Sequence, residues 1–412
     1  MTSALGAAFL ETMPEPPTPD AMYRARAAAV IPSGASTGSK RTAALYGSAD
    51  RDDLPTHYTA ARGCRITTAG GRELIDCTMA LGAVALGYAD ESVNAAVIDA
   101  IGRGNVAGLS STLEVDVAER LCEVIPCAER VRFLKTGAEG VAAAVRIARA
   151  YTGRDAVLTS GYFGWLDWWS GAAGVPARAH ADAESLPFDD IGALDDASRR
   201  HGGALAAIII EPVVHEQASR EWLTAARQAC DALGAVLIFD EVKSGFRVRT
   251  GGVQEAAGIT PDVAVFGKAL ANGFPLSAVV GRAGVMGAAD ETWISSTLAG
   301  ETAALAAASA VLDRHHREDV CGALERIGAS TCRELRRAIA ESGVTGVEIL
   351  GLAPMWLMRF DDDADRVAFQ RAMLDEGVLV KNGAYNFAAL AHDDLTVREI
   401  GRAARAALGA MR

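Results

Sequence analysis

The chain has 412 residues, of which 50% are hydrophobic and 22% charged, and its 52 acidic and 40 basic residues leave a formal net charge of −12 at pH 7. This composition supports a large folded core and excludes a chain kept unfolded by lack of apolar residues; the length suits one large domain and a smaller one. The acidic surplus disfavours nucleic acid or an anionic membrane as main partner, while a local basic pocket stays compatible with an anionic substrate.

The N-terminus lacks a basic n-region and no apolar run reaches about 18 residues, so the chain reads as soluble and cytoplasmic. Residues 1–20 are proline-rich and predict a mobile or loosely docked arm. Asp20 is expected to cap a helix running from Ala21 to about Val30. A loop of small residues, Ile31 to Arg41, follows and ends in two cations, Lys40 and Arg41. Residues 58–77 read as a β-meander, with two short strands flanking the hairpin signal Ala69-Gly-Gly-Arg72. Beyond residue 112 the helical and strand patterns alternate. Thr112 is expected to cap a helix reaching Val124, and a second helix spans 137–150. Apolar strands are predicted at 156–158, 206–210, 236–239, 263–266 and 277–280. Strands apolar throughout and separated by helices predict a mainly parallel sheet covered on both faces. An alanine-rich helix begins near residue 302. Helix 320–342, strands 347–351 and 355–360, and a last helix 395–411 complete the chain. The seven cysteines are scattered, without CxxC or Cys/His zinc spacing, and read as reduced thiols rather than a metal site.

Ligands of open α/β sheets sit beyond the carboxyl ends of the strands, and Glu211, Asp240 and Lys268 are all predicted there. Lys268 follows the strand Val263–Phe266, and Asp240 ends the run Ala235-Val-Leu-Ile-Phe-Asp240. A lysine and an aspartate so placed suit pyridoxal phosphate: lysine forms a Schiff base with its aldehyde, and the carboxylate keeps its ring nitrogen protonated. Lys135-Thr-Gly-Ala-Glu-Gly140 precedes a helix, so its backbone N–H groups suit a phosphate, although a plain helix cap uses the same residues. It is not a P-loop. The run Ser160 to Ser170 carries Tyr162, Phe163, Trp165, Trp168 and Trp169. Tyr162 offers a face for a pyridine ring, with core packing as the other reading. Asp240 has an alternative as well, a cap or a salt bridge to Lys243 or Arg247. Glu241 and Lys243 are assigned to solvated or structural pairs.

Residues 238–247 (Ile-Phe-Asp-Glu-Val-Lys-Ser-Gly-Phe-Arg) and 266–281 closely resemble the class III pyridoxal-phosphate aminotransferases, in particular the glutamate-1-semialdehyde aminomutase branch. The resemblance covers roughly residues 20–412. It implies fold type I: an α/β large domain with a mainly parallel seven-stranded sheet, plus a small α+β domain. Residues 1–75 would form the N-terminal arm and part of the small domain, 76–305 the cofactor domain, and 306–412 the rest of the small domain. Lys268 would carry the cofactor and shuttle a proton. Asp240 would pair with the ring nitrogen. Gly137 and Ala138 would bind the phosphate beside Thr136. Tyr162 would stack on the ring and Val213 on its other face, with Glu211 on the phenolic side. Thr297 would reach the phosphate of a neighbouring subunit, which implies a homodimer with shared sites. Residues 31–41 resemble the branch's substrate loop, where Lys40 or Arg41 would meet a carboxylate.

The departures from the family bear on substrate. Phe163 replaces a histidine, Leu81 a tryptophan and Tyr88 a histidine, while Gly300-Glu301-Thr302 replaces Gly-Asn-Pro. Together with Trp165, Trp168 and Trp169 they point to a larger, less polar or cyclic substrate in a specialised biosynthetic pathway. The leading expectation is amino transfer between a small-molecule donor and a keto or aldehyde acceptor, with an intramolecular aminomutase as the alternative. A non-catalytic scaffold conflicts with the intact Lys268–Asp240 pair, and a dinucleotide-dependent dehydrogenase lacks its GxGxxG.

Overall fold

Runs apolar on both faces become the inner strands of the largest sheet. A computed structural model describes residues 17–47, 51, 53–381, 383 and 385–411; the predicted arm lies outside the described residues up to residue 16. The strands in chain order begin with β1 (Tyr58–Arg62), β2 (Arg65–Thr68), β3 (Glu73–Asp76), β4 (Arg130–Leu134) and β5 (Ala156–Ser160). They continue with β6 (Ala183–Ser185), β7 (Leu205–Ile210), β8 (Val236–Asp240), β9 (Val263–Phe266) and β10 (Ser277–Gly281). The last are β11 (Val347–Leu352), β12 (Met355–Phe360), β13 (Val378–Leu379) and β14 (Asn386–Phe387).

The large sheet has seven strands in the order β4-β10-β9-β8-β7-β5-β6. Only β10 runs against its neighbours; β9, β8, β7, β5 and β6 are parallel. Every residue of β7, β8 and β9 is buried, as a sheet covered on both faces requires. Helix Gly137–Thr152 packs against β7, β8, β9 and β10 on one face. Helix Arg220–Leu233 contacts β7 and β8. Two smaller sheets complete the fold. The β1-β2-β3 meander gains β13 as a parallel neighbour of β3, which joins the first part of the chain to its last. β11, β12 and β14 form the third sheet.

Three expectations change. Thr18, not Asp20, caps the first helix, Pro19–Val30; Asp20 lies inside it, buried, and its carboxylate accepts a hydrogen bond from the Thr68 hydroxyl. Ser111, not Thr112, caps Thr112–Val124. Residues 31–41 fold into two short 3-10 turns, Pro32–Gly34 and Gly38–Lys40, leading into helix Thr42–Tyr46. The seven cysteines are unpaired and six are buried. No described helix is long and apolar enough to cross a membrane.

Arg247 ties these parts together. It is fully buried, and its guanidinium donates to the carbonyls of Gly82, Val84, Pro354 and Ala388 at 2.7–3.4 Å. Two of these acceptors lie on the turn after β3 and two near β12 and β14. The Gly82 turn needs such a brace, because Met79, Ala80 and Leu81 all have left-handed backbones, at φ 42°, 52° and 60°.

Candidate active site

The parallel strands β7, β8 and β9 are adjacent, so the residues at their carboxyl ends meet. Glu211 follows β7, Asp240 ends β8 and Lys268 lies just beyond β9. All three line one cavity of about 330 Å³, within the roughly 300–1,000 Å³ of small-molecule sites. The remaining wall comes from Lys135–Ala138 after β4, Tyr162–Gly164 after β5, Val242 and Lys243 after β8, Gly273–Leu276 before β10, and Ala83.

Each wall has a local cause. Thr136 caps helix Gly137–Thr152 in a reciprocal box: its hydroxyl accepts the Glu139 N–H at 3.2 Å, and the Glu139 carboxylate accepts the Thr136 N–H at 2.8 Å. Gly137 and Ala138 form the first turn, where backbone N–H groups lack intrahelical acceptors. Gly161 has φ 133°, and a Cβ there would lie 2.4 Å from the Glu211 Cβ. Lys268 has φ 47°, a left-handed backbone rare for a non-glycine residue, of a kind that clusters at functional sites. The loop beyond it is held by Asn272, whose side chain accepts the Ala85 and Leu86 N–H groups and donates to the Gly87 carbonyl.

The electrostatics set the two central groups apart. Burial first, and then the Glu211 charge, push the Asp240 carboxyl up to about 7, opposed by the Val242 N–H, Lys268 and Lys243. The Asp240 carboxylate accepts that Val242 N–H at 3.0 Å. Burial lowers the Lys268 amine below its ordinary value, against the pull of Asp240. Neither Lys243 nor Arg247 is spent on Asp240: Lys243 pairs with Glu211 and Arg247 with carbonyls. A buried carboxylate beside a helix N-terminus and a reactive lysine fits a ring nitrogen, a phosphate and an aldehyde on one small ligand.

Residues 46–164 and 173–397 match the family described as Aminotransferase class-III. The chain belongs to the class III aminotransferases. Pyridoxal phosphate is the cofactor of this family. One class III relative, 3-aminobutyryl-CoA aminotransferase of Cloacimonas acidaminovorans, is 31% identical over 71% of this chain and 73% of its own. A glutamate-1-semialdehyde 2,1-aminomutase of Rhodopirellula baltica is 32% identical over 86% of this chain and 87% of its own. The 2'-deamino-2'-hydroxyneamine transaminase of Streptomyces kanamyceticus is 33% identical over 81% and 86%. Among solved structures, the pyridoxal-phosphate form of FumI from Sphingopyxis sp. MTA144 matches with TM-score 0.90 and 29% identity, over 95% of this chain and 96% of that one.

Against this class III frame the other expected residues separate. Tyr162 lines the cavity, and its N–H donates to the Glu211 carboxylate at 3.1 Å. Val213 does not line it; it is buried in the core, and Val242, two residues past Asp240, lines the wall instead. Thr297 is exposed and lines a different cleft, of about 560 Å³, with Arg132 and Gly300. Lys40 and Leu81 line a mostly apolar cavity of about 380 Å³, while Ala83, at the end of the same turn, faces the Lys268 cavity. Arg41 is exposed and precedes a short helix. Trp165 is exposed, and neither Trp168 nor Trp169 lines the cavity: both pack against Phe163, which is buried in the core. The aromatic cluster is therefore a buttress behind Tyr162–Gly164.

Glu241 and Lys243, expected in solvated or structural pairs, are both buried. Glu241 accepts hydrogen bonds from the Ser244 hydroxyl and the Gln254 N–H. Sequence reasoning also missed the purpose of Glu301. It caps helix Thr302–Arg317 and pairs with Lys135 at 2.7 Å, which fixes the base of the 135–138 turn.

Proposed function

We propose that this class III enzyme moves an amino group from an amino donor to a keto or aldehyde acceptor in a specialised biosynthetic pathway. One observation carries the reading: Lys268, Asp240 and the Gly137–Ala138 turn open on a single cavity. Pyridoxal phosphate bound there supplies an aldehyde for amine exchange and a ring that accepts electrons from the donor's Cα. Lys268 would hold the aldehyde and, once released, move the proton from Cα; burial lowers its proton affinity, which favours the neutral amine that this step needs. Asp240 binds the ring nitrogen. Gly137 and Ala138 would hold the phosphate, and Tyr162 and Val242, which line the cavity, would bound the ring. Glu211 orients the Tyr162 backbone.

The assembly we propose is a cytoplasmic homodimer. Leu109 and Trp293 are 87% and 90% exposed, and Leu109 borders the cleft that holds Thr297. A second copy covering this face would bury them and bring Thr297 toward the partner's phosphate site. Residues 76–305 serve as the cofactor domain, and the β3–β13 pairing supports a small domain drawn from residues 1–75 and 306–412.

A screen of amino donors against the cofactor-loaded protein tests this reading. A productive donor converts the cofactor's absorbance to that of its aminated form, and a carbonyl acceptor reverses it. Isomerisation of a single substrate with no acceptor present would instead make the enzyme a mutase. No spectral response to any amine would end the proposal.

A further inference from the structure

We propose that Lys243 is a positioning residue of the active site: it clamps the Glu211 carboxylate and places a second cation in the cavity of Lys268. The proposal rests on the reading of Lys268 as the amine that takes the cofactor.

A lysine three residues past a strand end reads from sequence as a solvated charge or a member of a structural pair. Here its side chain is 9% exposed and lines the same cavity as Lys268 and Asp240. A buried ammonium group needs a partner. Lys243 has two: its Nζ lies 2.5 Å from the Glu211 carboxylate and 4.1 Å from the centre of the Tyr385 ring. The other Glu211 oxygen accepts the Tyr162 N–H at 3.1 Å. A chain of contacts thus runs from Lys243 through Glu211 to the backbone of a residue lining the cavity. Gly161 lets the chain pass close over Glu211, where a Cβ would meet it.

The second consequence is electrostatic. The charged groups that act on Lys268 are Asp240, Lys243 and Glu211, which line the same cavity, and Arg247 behind it. Asp240 and Glu211 favour its protonated form; Lys243 and Arg247, together with burial, favour the neutral one. A second cation beside a reactive lysine favours the neutral amine, the form that attacks a carbonyl. Removing Lys243 also leaves the buried Glu211 carboxylate without its ion-pair partner.

The test uses cofactor-free protein, with the rate of Schiff-base formation with added pyridoxal phosphate followed by absorbance across pH. Lys243→Met is expected to raise the midpoint of that profile by about one pH unit, and Glu211→Gln to lower it. Lys243→Arg keeps the wild-type midpoint, and the double variant Lys243→Met/Glu211→Gln returns toward it. A purely structural pair would move both single variants in the same direction or neither, and either result overturns the proposal. If Lys243→Met does not fold, as judged by circular dichroism, the downward shift in Glu211→Gln together with the unshifted Lys243→Arg decides it. Absence in wild type of a band that Lys268→Ala removes would overturn the reading of Lys268 itself, and this proposal with it.

Discussion

Replacing Lys268 with alanine is expected to lower amino transfer by about 10³-fold or more, because in the proposed mechanism one group both holds the cofactor and moves the proton. The fold is expected to survive. Lys268 already holds a left-handed backbone without being glycine, so alanine adds no new strain at φ 47°. Its buried amine costs desolvation, which alanine removes. The Gly137–Ala138 turn proposed to hold the phosphate and the Asp240 carboxylate remain, so the variant should still bind pyridoxal phosphate, reversibly and without the wild-type absorbance band. Single-turnover assays on the loaded variant check the rate. Donor conversion at the wild-type rate would remove Lys268 from the mechanism.

Asp240→Asn is expected to give the second large effect, a fall of about 10²–10³-fold in the rate with the cofactor still bound, since the charge proposed to face the ring nitrogen is lost. Asparagine keeps the acceptor for the Val242 N–H. The same change should stabilise the cofactor-free protein. Burial and Glu211 raise the folded-state value of Asp240 to about 7, above the ordinary carboxylate range, so folding disfavours its ionised form. That penalty is absent at low pH, grows as pH rises through the unfolded value, and is complete above about 7. Cofactor-free Asp240→Asn should therefore melt at a higher temperature than wild type near pH 8, with the difference shrinking toward zero as pH falls below the ordinary aspartate value. A variant that loses stability at high pH, or keeps full activity, would contradict the assignment of Asp240 as a buried anion awaiting a cation.

The inner strands were legible because burial on both faces leaves a plain signal: β5, β7, β8, β9 and β10 are uniformly buried. β4 and β6 were not foreseen. β4 alternates Arg130, Val131, Arg132 at the sheet's edge, and β6 has only three residues. The residues at the strand ends followed from the strands, so Glu211, Asp240 and Lys268 were placed together from sequence. What sequence could not show was direction after a strand ends. The chain beyond β8 turns inward, which buries Glu241, Lys243 and Arg247 and puts Val242 rather than Val213 on the cavity wall. Aromatic residues close in sequence suggested a ring-stacking or substrate surface, yet Trp168 and Trp169 stay off the cavity and pack against Phe163, which lines it. Caps were missed by one or two positions, at Thr18 and Ser111, since neighbouring Thr, Ser and Asp carry equal local signals.

The central claim is that Lys268, among all lysines in and around this cavity, is the one that binds the cofactor. Reduction of the pyridoxal-phosphate-loaded protein with borohydride, followed by peptide mass mapping, tests it most directly. The account predicts the cofactor's mass on the peptide containing Lys268 and on no other in stoichiometric amount. Stoichiometric label on Lys243 or Lys135, or a loaded protein with no labelled peptide, would contradict it.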